Sequence, residues 1–308
     1  MYEQIAGNIN KTRFLIAVFI VIIGILGYAF GEMTGYGYAG LVFAILIAIL
    51  MSIGSYYYSD SIVLAISHAR PVTKEENPYL WNTVEGLSIA AGIPMPKVYI
   101  IEDSAPNAFA TGRNPEHSAI AVTTGLLSKL NRLELEGVIA HEMSHIKNYD
   151  ILISTIAVVM VGVVALLSDW MLRSFWWRGA FGGGFGGGGR RRRNGDGPVD
   201  GGIGLILLVL GLILAIVGPL IAQLLRLAIS RKREFLADAN GALLTRYPEG
   251  LASALEKISA DTEPLEVANK ATAHLYIVNP LKDRRSYMDV LFSTHPPVEE
   301  RIRALRAM

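Results

Sequence analysis

The chain contains no cysteine among its 308 residues. Disulfide bonds, a thiol nucleophile and thiolate metal ligands are therefore excluded, and any bound metal ion must use histidine or carboxylate ligands. Histidine is scarce as well, with 6 residues, so few sets of metal ligands are possible. The formal net charge is +1, which gives no reason to expect a nucleic-acid partner.

Charged residues are also few, at 18%, whereas hydrophobic residues make up 52% and the mean hydropathy is +0.38. The apolar residues come in long blocks, which is typical of a membrane protein with several spans. Four blocks approach the ~20 residues that a spanning helix needs. They are 14–30, 39–55, 151–172 and 203–229, and the first two predict a helical hairpin with a polar turn at 31–38.

Lysine and arginine counts predict which side of the membrane each segment faces. Lys11 and Arg13 precede the first span, while the turn after it contains Glu32 and no basic residue. The N terminus, the 7 basic residues of 59–150 and the 13 from Arg226 to the end are therefore expected in the cytoplasm. The loop 173–202 disagrees, because its 6 arginines fall on the outer side. Either the earlier spans override the rule, or the third and fourth segments do not cross fully.

The remaining segments mix helical and extended patterns. We expect the following elements: helices at 77–92 and 133–148, strands at 98–102 and 117–123, an edge strand at 107–112, and a mostly helical tail after 231. This pattern divides the chain into four predicted parts. They are a transmembrane hairpin at 1–58, a cytoplasmic half-domain at 59–150, a second transmembrane pair at 151–229 with a disordered glycine- and arginine-rich loop at 178–202, and a C-terminal helical half-domain at 230–308.

The predicted helix 133–148 contains His141-Glu142-Met143-Ser144-His145. Histidines four positions apart share one helical face, so both imidazoles can reach a single metal ion. The glutamate between them lies near enough to accept a proton from a water on that ion without being a ligand. The alternative is a pair of surface histidines, but the apolar neighbours indicate a buried helix, where unpaired imidazoles are costly.

A catalytic zinc site needs a third protein ligand and an open fourth position. Glu234 is the best candidate, and Asp238 lies four residues further on the same helical face. One carboxylate can ligate while the other accepts the distal N–H of a ligand histidine. An ordinary charged helix after a membrane span would look the same, so Glu234 alone is weak evidence. Two predicted spans separate it from His141, which keeps both on one side of the membrane.

These motifs together resemble those of the HtpX-type membrane zinc metalloproteases, gluzincins related to the CAAX prenyl endoproteases. The resemblance covers nearly the whole chain. Besides the HExxH helix, it includes the run from Ser230 to Ala242, the extended Asn107-Ala108-Phe109-Ala110-Thr111-Gly112, and Ser293-Thr294-His295-Pro296-Pro297 followed by Arg301. It implies a mainly α membrane protein with four transmembrane helices and a zincin-like α+β catalytic domain, in which a small β-sheet accompanies the HExxH helix.

The resemblance also assigns roles to individual residues. It implies one zinc ion per chain bound by His141, His145 and Glu234, with Glu142 as general base and Asp238 as the partner of a zinc histidine. Further implied roles are substrate main-chain binding, by Asn107, Ala108 and Phe109, and stabilisation of the oxyanion, by His295 and Arg301. His295 capping the turn before the two prolines is an equally good reading. His68, His117 and His274 have no partner at ligand spacing and are assigned no site.

The expected protein is therefore a zinc endopeptidase of the plasma membrane with its site facing the cytoplasm. Its partners would be the lipid bilayer and protein or peptide substrates, and the resemblance implies quality control of misfolded membrane proteins. Two alternatives remain: a CAAX-type prenyl-protein endoprotease, and a non-catalytic membrane scaffold or transporter with a structural metal.

Overall fold

The computed structural model describes residues 2–163, 231–268, 272–280 and 296–308. Two long helices open the chain: α1 (Tyr2–Thr34) and α2 (Tyr38–Ile66). They form the predicted hairpin, with a tighter turn that contains Gly35 and Gly37 at positive φ. A side chain on Gly27 would meet Ala44 at 2.0 Å, so glycine lets the two helices approach closely.

Within these described ranges, two helices are long and apolar enough to cross a membrane, Ile5–Tyr28 and Tyr38–Ile66. A third span results only if the bent pair Arg132–Lys147 and Asp150–Val163 is counted as one. The second half of the predicted span 151–172, all of 203–229 and the loop 178–202 lie outside the described residues. The protein is thus mainly helical with two or three candidate spans.

A four-stranded mixed sheet follows the hairpin. Its strands are β1 (Arg70–Pro71), β2 (Lys97–Ile101), β3 (Ala108–Asn114) and β4 (His117–Thr123), in the order β1-β2-β4-β3. Strands β2 and β4 are parallel, and both outer pairs are antiparallel. Strand β3 therefore forms one edge of the sheet, in agreement with the edge strand predicted at 107–112.

Seven more helices complete the described fold, together with a 3₁₀ turn at Ala273–Leu275. They are α3 (Pro78–Ala91), α4 (Thr124–Lys129), α5 (Arg132–Lys147), α7 (Arg231–Thr245), α8 (Pro248–Ala260) and α9 (Val298–Arg306), and the described part of α6 is Asp150–Val163. Helix α3 begins at the predicted place because Asn77 caps Leu80 N–H and Pro78 follows it.

Helix α5 is the central element of the core. Asn131 and Glu134 form a capping box at its start, and almost every residue from Glu134 to Ile146 is buried. Glu134 also accepts bonds from Ser253 and Lys257 of α8, both at 2.7 Å. The helix ends at a sharp corner, where Tyr149 has a φ of 59° and α6 leaves at 82°. Because α5 is enclosed by the sheet, α3, α7 and α8, it belongs to the folded domain and not to a span.

Candidate metal centre

Helix α5 places His141 and His145 side by side, as their spacing predicts. Their Nε2 atoms are 3.1 Å apart, and the rings meet edge to face. His141 is 1% exposed. At this separation the two nitrogens share either a proton or a cation.

Helix α7 brings a carboxylate to the same point. Glu234 Oε2 lies 3.8 Å from His141 Nε2, and Oε1 lies 3.6 Å from His145 Nε2. One potential ligand atom from each of the three residues falls within 4.8 Å of the others. The approach of the two helices depends on Gly241, since a Cβ there would meet His141 N at 3.1 Å.

This donor set fits a small divalent cation. Ligand atoms around four-coordinate zinc, each at about 2.0–2.1 Å, lie about 3.3–3.4 Å from one another. The three separations of 3.1, 3.6 and 3.8 Å bracket that value. Burial alone lowers the pKa of His145, but Asp150 and Glu234 outweigh it and raise the pKa to about 9. The surrounding acids therefore stabilise a positive charge at this position.

A second carboxylate fixes the orientation of His141. Asp238 Oδ1 lies 2.9 Å from His141 Nδ1, which leaves Nε2 as the atom that faces the centre. Arg301 donates to both oxygens of Asp238, at 2.8 and 2.7 Å. Burial by itself raises the pKa of Asp238, but the Arg301 guanidinium and His141 bring it down to about 2. Asp238 is thus a permanent anion behind the histidine.

His145 has a matching partner that the sequence analysis did not identify. Its Nδ1 lies 3.1 Å from Asp150 Oδ2, and Arg233 donates to Asp150 Oδ1 at 3.0 Å. Each histidine is therefore held by an aspartate, and each aspartate is paired with an arginine. An acid five residues after the second histidine was the available sequence signal, but that spacing shares no helical face with His145.

Glu142 lines the cavity next to the two histidines and is 2% exposed. Its burial raises its pKa to about 7, although the Ala110 N–H donates to the carboxylate and lowers it in part. A carboxylate with a pKa near neutrality can both accept and return a proton. The cavity itself measures about 40 Å³, which is room for small molecules such as water and not for a peptide.

The predicted peptide-binding residues do not line this cavity themselves, but they contact the segment 276–278, of which Tyr276 and Ile277 do. Ala108 O accepts from Ile277 N at 3.0 Å, and Asn107 Nδ2 donates to Val278 O at 2.9 Å. The Phe109 ring packs edge-on against Tyr276, with centroids 5.1 Å apart. The segment 276–278 therefore pairs with the start of the β3 edge through main-chain and amide hydrogen bonds.

The two residues predicted to stabilise the oxyanion are not both described by the structure. His295 lies outside the described residues. Arg301 is fully buried behind Asp238, with its third contact to Ile277 O at 2.9 Å, and it does not line the cavity. His274, which the sequence analysis assigned to no site, does line it, with Nε2 3.3 Å from Ser154 O. A single histidine without ligand spacing carries no sequence signal for this position.

Comparisons with known proteins identify the family of the chain. Residues 74–308 match the model of peptidase family M48. The chain is 50% identical over 307 residues to a protein described as "Protease HtpX homolog" from Dictyoglomus turgidum, covering 100% of this chain and 94% of the relative. It is 48% identical over 308 residues to one with the same description from Thermoanaerobacter pseudethanolicus, covering 100% and 98%. The crystal structure of S. mikatae Ste24p is similar with a TM-score of 0.48 at 19% identity, over 99% of this chain and 67% of that one.

The helices of membrane-spanning length are joined to a domain in which histidines and acids converge beside a strand edge. This combination defines the class of a membrane metalloendopeptidase. The chain belongs to peptidase family M48. The family resemblance drawn from the motifs is confirmed, as is the prediction of an enzyme that hydrolyses peptide bonds. Its substrates are accordingly proteins or peptides.

Proposed function

We propose that this protein is a zinc-dependent endopeptidase whose metal ion is held by His141, His145 and Glu234. Two imidazole nitrogens and one carboxylate oxygen are a donor set that suits zinc and leaves a coordination position open. When bound, such a cation polarises a peptide carbonyl and makes a nearby water more acidic. The observation that carries the proposal is the convergence of three donors, two buried and one partly buried, with an aspartate behind each histidine.

Glu142 is the general base in this proposal. It is adjacent to both histidines, and its pKa of about 7 suits a group that takes a proton from water and later gives it to the leaving amine. The Ala110 N–H restrains the carboxylate without neutralising it.

Strand β3 is the proposed binding edge for the substrate main chain. The contacts of 276–278 illustrate what such an edge recognises: an N–H that reaches Ala108 O and a carbonyl that reaches Asn107 Nδ2. A peptide that adds to β3 replaces this segment and makes the same two bonds. Recognition through main-chain atoms gives broad sequence tolerance, which suits an enzyme that removes misfolded proteins.

The oxyanion-stabilising role is proposed for His295, with Arg301 acting indirectly. Among the described residues, the Arg301 guanidinium contacts Asp238, Ile277 O and the side chains of His141 and Glu234. Its position therefore suits a residue that holds Asp238 in place better than one that touches the substrate.

We further propose four spans, the four-part domain division at residues 58, 150 and 229, and a zincin-like catalytic domain. Asn8, near the start of α1, contacts Asp150 beside the centre, so the site belongs to the side of the membrane that carries the N terminus. Lys11 and Arg13 assign that side to the cytoplasm, and the plasma membrane is the proposed location. Misfolded membrane proteins are the proposed substrates.

Degradation of unfolded casein by the purified protein in detergent tests the proposal. We expect activity that a chelator abolishes and zinc restores. Glu142→Gln should retain zinc and lower the rate by about 100- to 10,000-fold, whereas Glu136→Gln, an identical change at a partly exposed position of α5 away from the centre, should leave it unchanged. Full activity of Glu142→Gln disproves the assignment of the base, and zinc that remains bound without any chelator-sensitive proteolysis indicates a structural metal. A prenylated C-terminal peptide cleaved in preference to casein favours the CAAX-type alternative.

A further inference from the structure

The metal centre is connected to the first membrane helix by a chain of buried hydrogen bonds. We infer that Asn8 of α1 is a positioning residue for the metal centre, acting through Asp150 to set the orientation of His145. The inference rests on the proposed metal site. It adds a residue that lies 133 positions before the HExxH motif, on an element that none of the site motifs includes.

Asp150 is the intermediate of this connection. Its Oδ2 contacts His145 Nδ1 at 3.1 Å, so it fixes which imidazole nitrogen faces Glu234. Its Oδ1 accepts from Asn8 Nδ2 at 2.8 Å and from Arg233 Nη1 at 3.0 Å. Because both oxygens are engaged, a rotation of the carboxylate breaks bonds on the opposite side.

Asn8 supplies a combination of groups that few side chains have. Its Nδ2 donates to Asp150 Oδ1 and to Asn148 O, both at 2.8 Å, and its Oδ1 accepts from Arg233 Nη1 at 2.9 Å. The side chain is 4% exposed. A leucine offers none of these bonds, and an aspartate offers no donor, so the amide is required for both tasks.

The place that Asn8 contacts is the corner between α5 and α6. Asn148 and Asp150 flank Tyr149, whose positive φ produces the 82° bend. A residue that bonds both sides of a bend resists its opening. Asn8 therefore links the position of a membrane helix to the geometry of a ligand histidine only a few ångströms from the corner.

A purely structural tie between α1 and the domain is the competing explanation, and zinc affinity distinguishes the two. The full-length protein in detergent is titrated with zinc against a chromophoric chelator, and the visible spectrum of the cobalt-loaded protein reports ligand geometry. Asp150→Ala should weaken zinc binding by about 100-fold and Asn8→Ala by about 10-fold, the range that loss of a ligand's hydrogen-bond partner causes. Thr12→Val removes a buried hydroxyl one turn along α1 that donates to Asn8 O, and it should leave affinity and spectrum unchanged.

A double-mutant cycle supplies the decisive comparison. If Asn8 acts through Asp150, Asn8→Ala costs less than about threefold in the Asp150→Ala background. It keeps its full effect of about 10-fold in the Asp238→Asn background, because Asp238 acts on the other histidine. Asp150→Asn, which preserves shape, replaces Asp150→Ala if the latter does not fold.

Equal effects in both backgrounds, or an Asn8→Ala protein with wild-type zinc affinity and cobalt spectrum, overturn the inference. His141→Ala separates this result from failure of the proposed function. If His141→Ala abolishes zinc binding while Asn8→Ala leaves it intact, only the role of Asn8 is refuted. If zinc binding survives His141→Ala, the metal site itself is wrong.

Discussion

Arg301 is the residue whose replacement distinguishes a role in holding Asp238 from a role in contacting the substrate. Its guanidinium is 0% exposed and donates to both Asp238 oxygens and to Ile277 O. Replacement of this arginine by glutamine removes the positive charge and leaves the Asp238 carboxylate buried with His141 as its main remaining partner.

The size of the effect follows from the burial of the pair. Removal of one partner from a buried, hydrogen-bonded ion pair costs about 3–5 kcal/mol. That is a large part of the roughly 5–15 kcal/mol by which folded domains are stable. In addition, Asp238 without Arg301 holds His141 less firmly, so zinc affinity should fall by about 10- to 100-fold.

Chemical denaturation in detergent measures the stability, and competition with a chelator measures the affinity. Arg303→Gln is the matched control, since the same substitution two residues later on α9 changes an exposed side chain and should cost less than about 0.5 kcal/mol. Arg301→Lys keeps the charge but loses the fork that binds both oxygens, so its effects should be intermediate. If Arg301→Gln lowers kcat while zinc affinity stays at the wild-type value, Arg301 acts on the substrate and the positioning argument fails.

Three further changes test other parts of the structure. Burial opposes ionisation of Glu134, but the bonds from Lys257 and Ser253 prevail and lower its pKa. At pH 7 the wild-type protein should therefore be about 1–3 kcal/mol more stable than Glu134→Gln. This difference should disappear as the pH falls through 4 towards the pKa of Glu134 in the folded protein; a difference that persists in acid unfolding curves contradicts this. Gly241→Ala crowds the backbone of α5 and should cost about 1–3 kcal/mol, whereas Gly86→Ala in an open part of α3 should gain about 0.5–1 kcal/mol; equal shifts in thermal midpoint would refute the packing argument. Ile277→Pro removes the N–H that is bonded to Ala108 O, so a peptide displaces the segment 276–278 more easily and the KM for casein should fall about 2- to 10-fold. Ile277→Val keeps this N–H and should leave the KM unchanged. An unchanged KM in both variants means that peptides bind elsewhere.

Local signals were sufficient to predict most elements of the domain. Strand β4 spans the predicted 117–123, and α3 and α5 begin within one residue of the predicted position. Their ends are set by nearby groups: Asn77 and Asn131 cap the first turns, and Gly92 in the left-handed conformation ends α3. Such signals act over three or four residues, so a single sequence contains them completely.

The three residues that converge at the centre were also predictable, although for different reasons. His141 and His145 follow from helical spacing, whereas the spacing of Glu234 to Asp238 made it the best candidate but weak evidence until the family resemblance supported it. The residues that hold the two histidines in place also differ in how far the sequence predicts them. Asp238 was implied by the resemblance, whereas the contact between Asn8 and Asp150 joins residues 142 positions apart and has no sequence pattern.

The span boundaries show a different limit. Hydropathy predicts the apolar part of a helix, 14–30, but α1 runs from Tyr2 to Thr34 because its polar first turns pack against the domain. Asn8 and Thr12 are buried there, in the stretch that composition assigns to the interface. Composition alone therefore assigns polar residues at the end of a span to the membrane interface, although Asn8 and Thr12 are buried in contacts within the protein.

The charges around the proposed centre explain why two aspartates accompany its histidines without filling its coordination. Arg301 pairs with Asp238 and Arg233 with Asp150, so each aspartate would offset the charge of a bound dication only in part. Glu234 would contribute one negative charge. A cation held by these residues would therefore keep net positive charge with which to polarise a peptide carbonyl. If either arginine were absent, an unpaired aspartate would compete with the carbonyl for that charge. The two arginines thus allow acids to orient the histidines while the centre remains electrophilic.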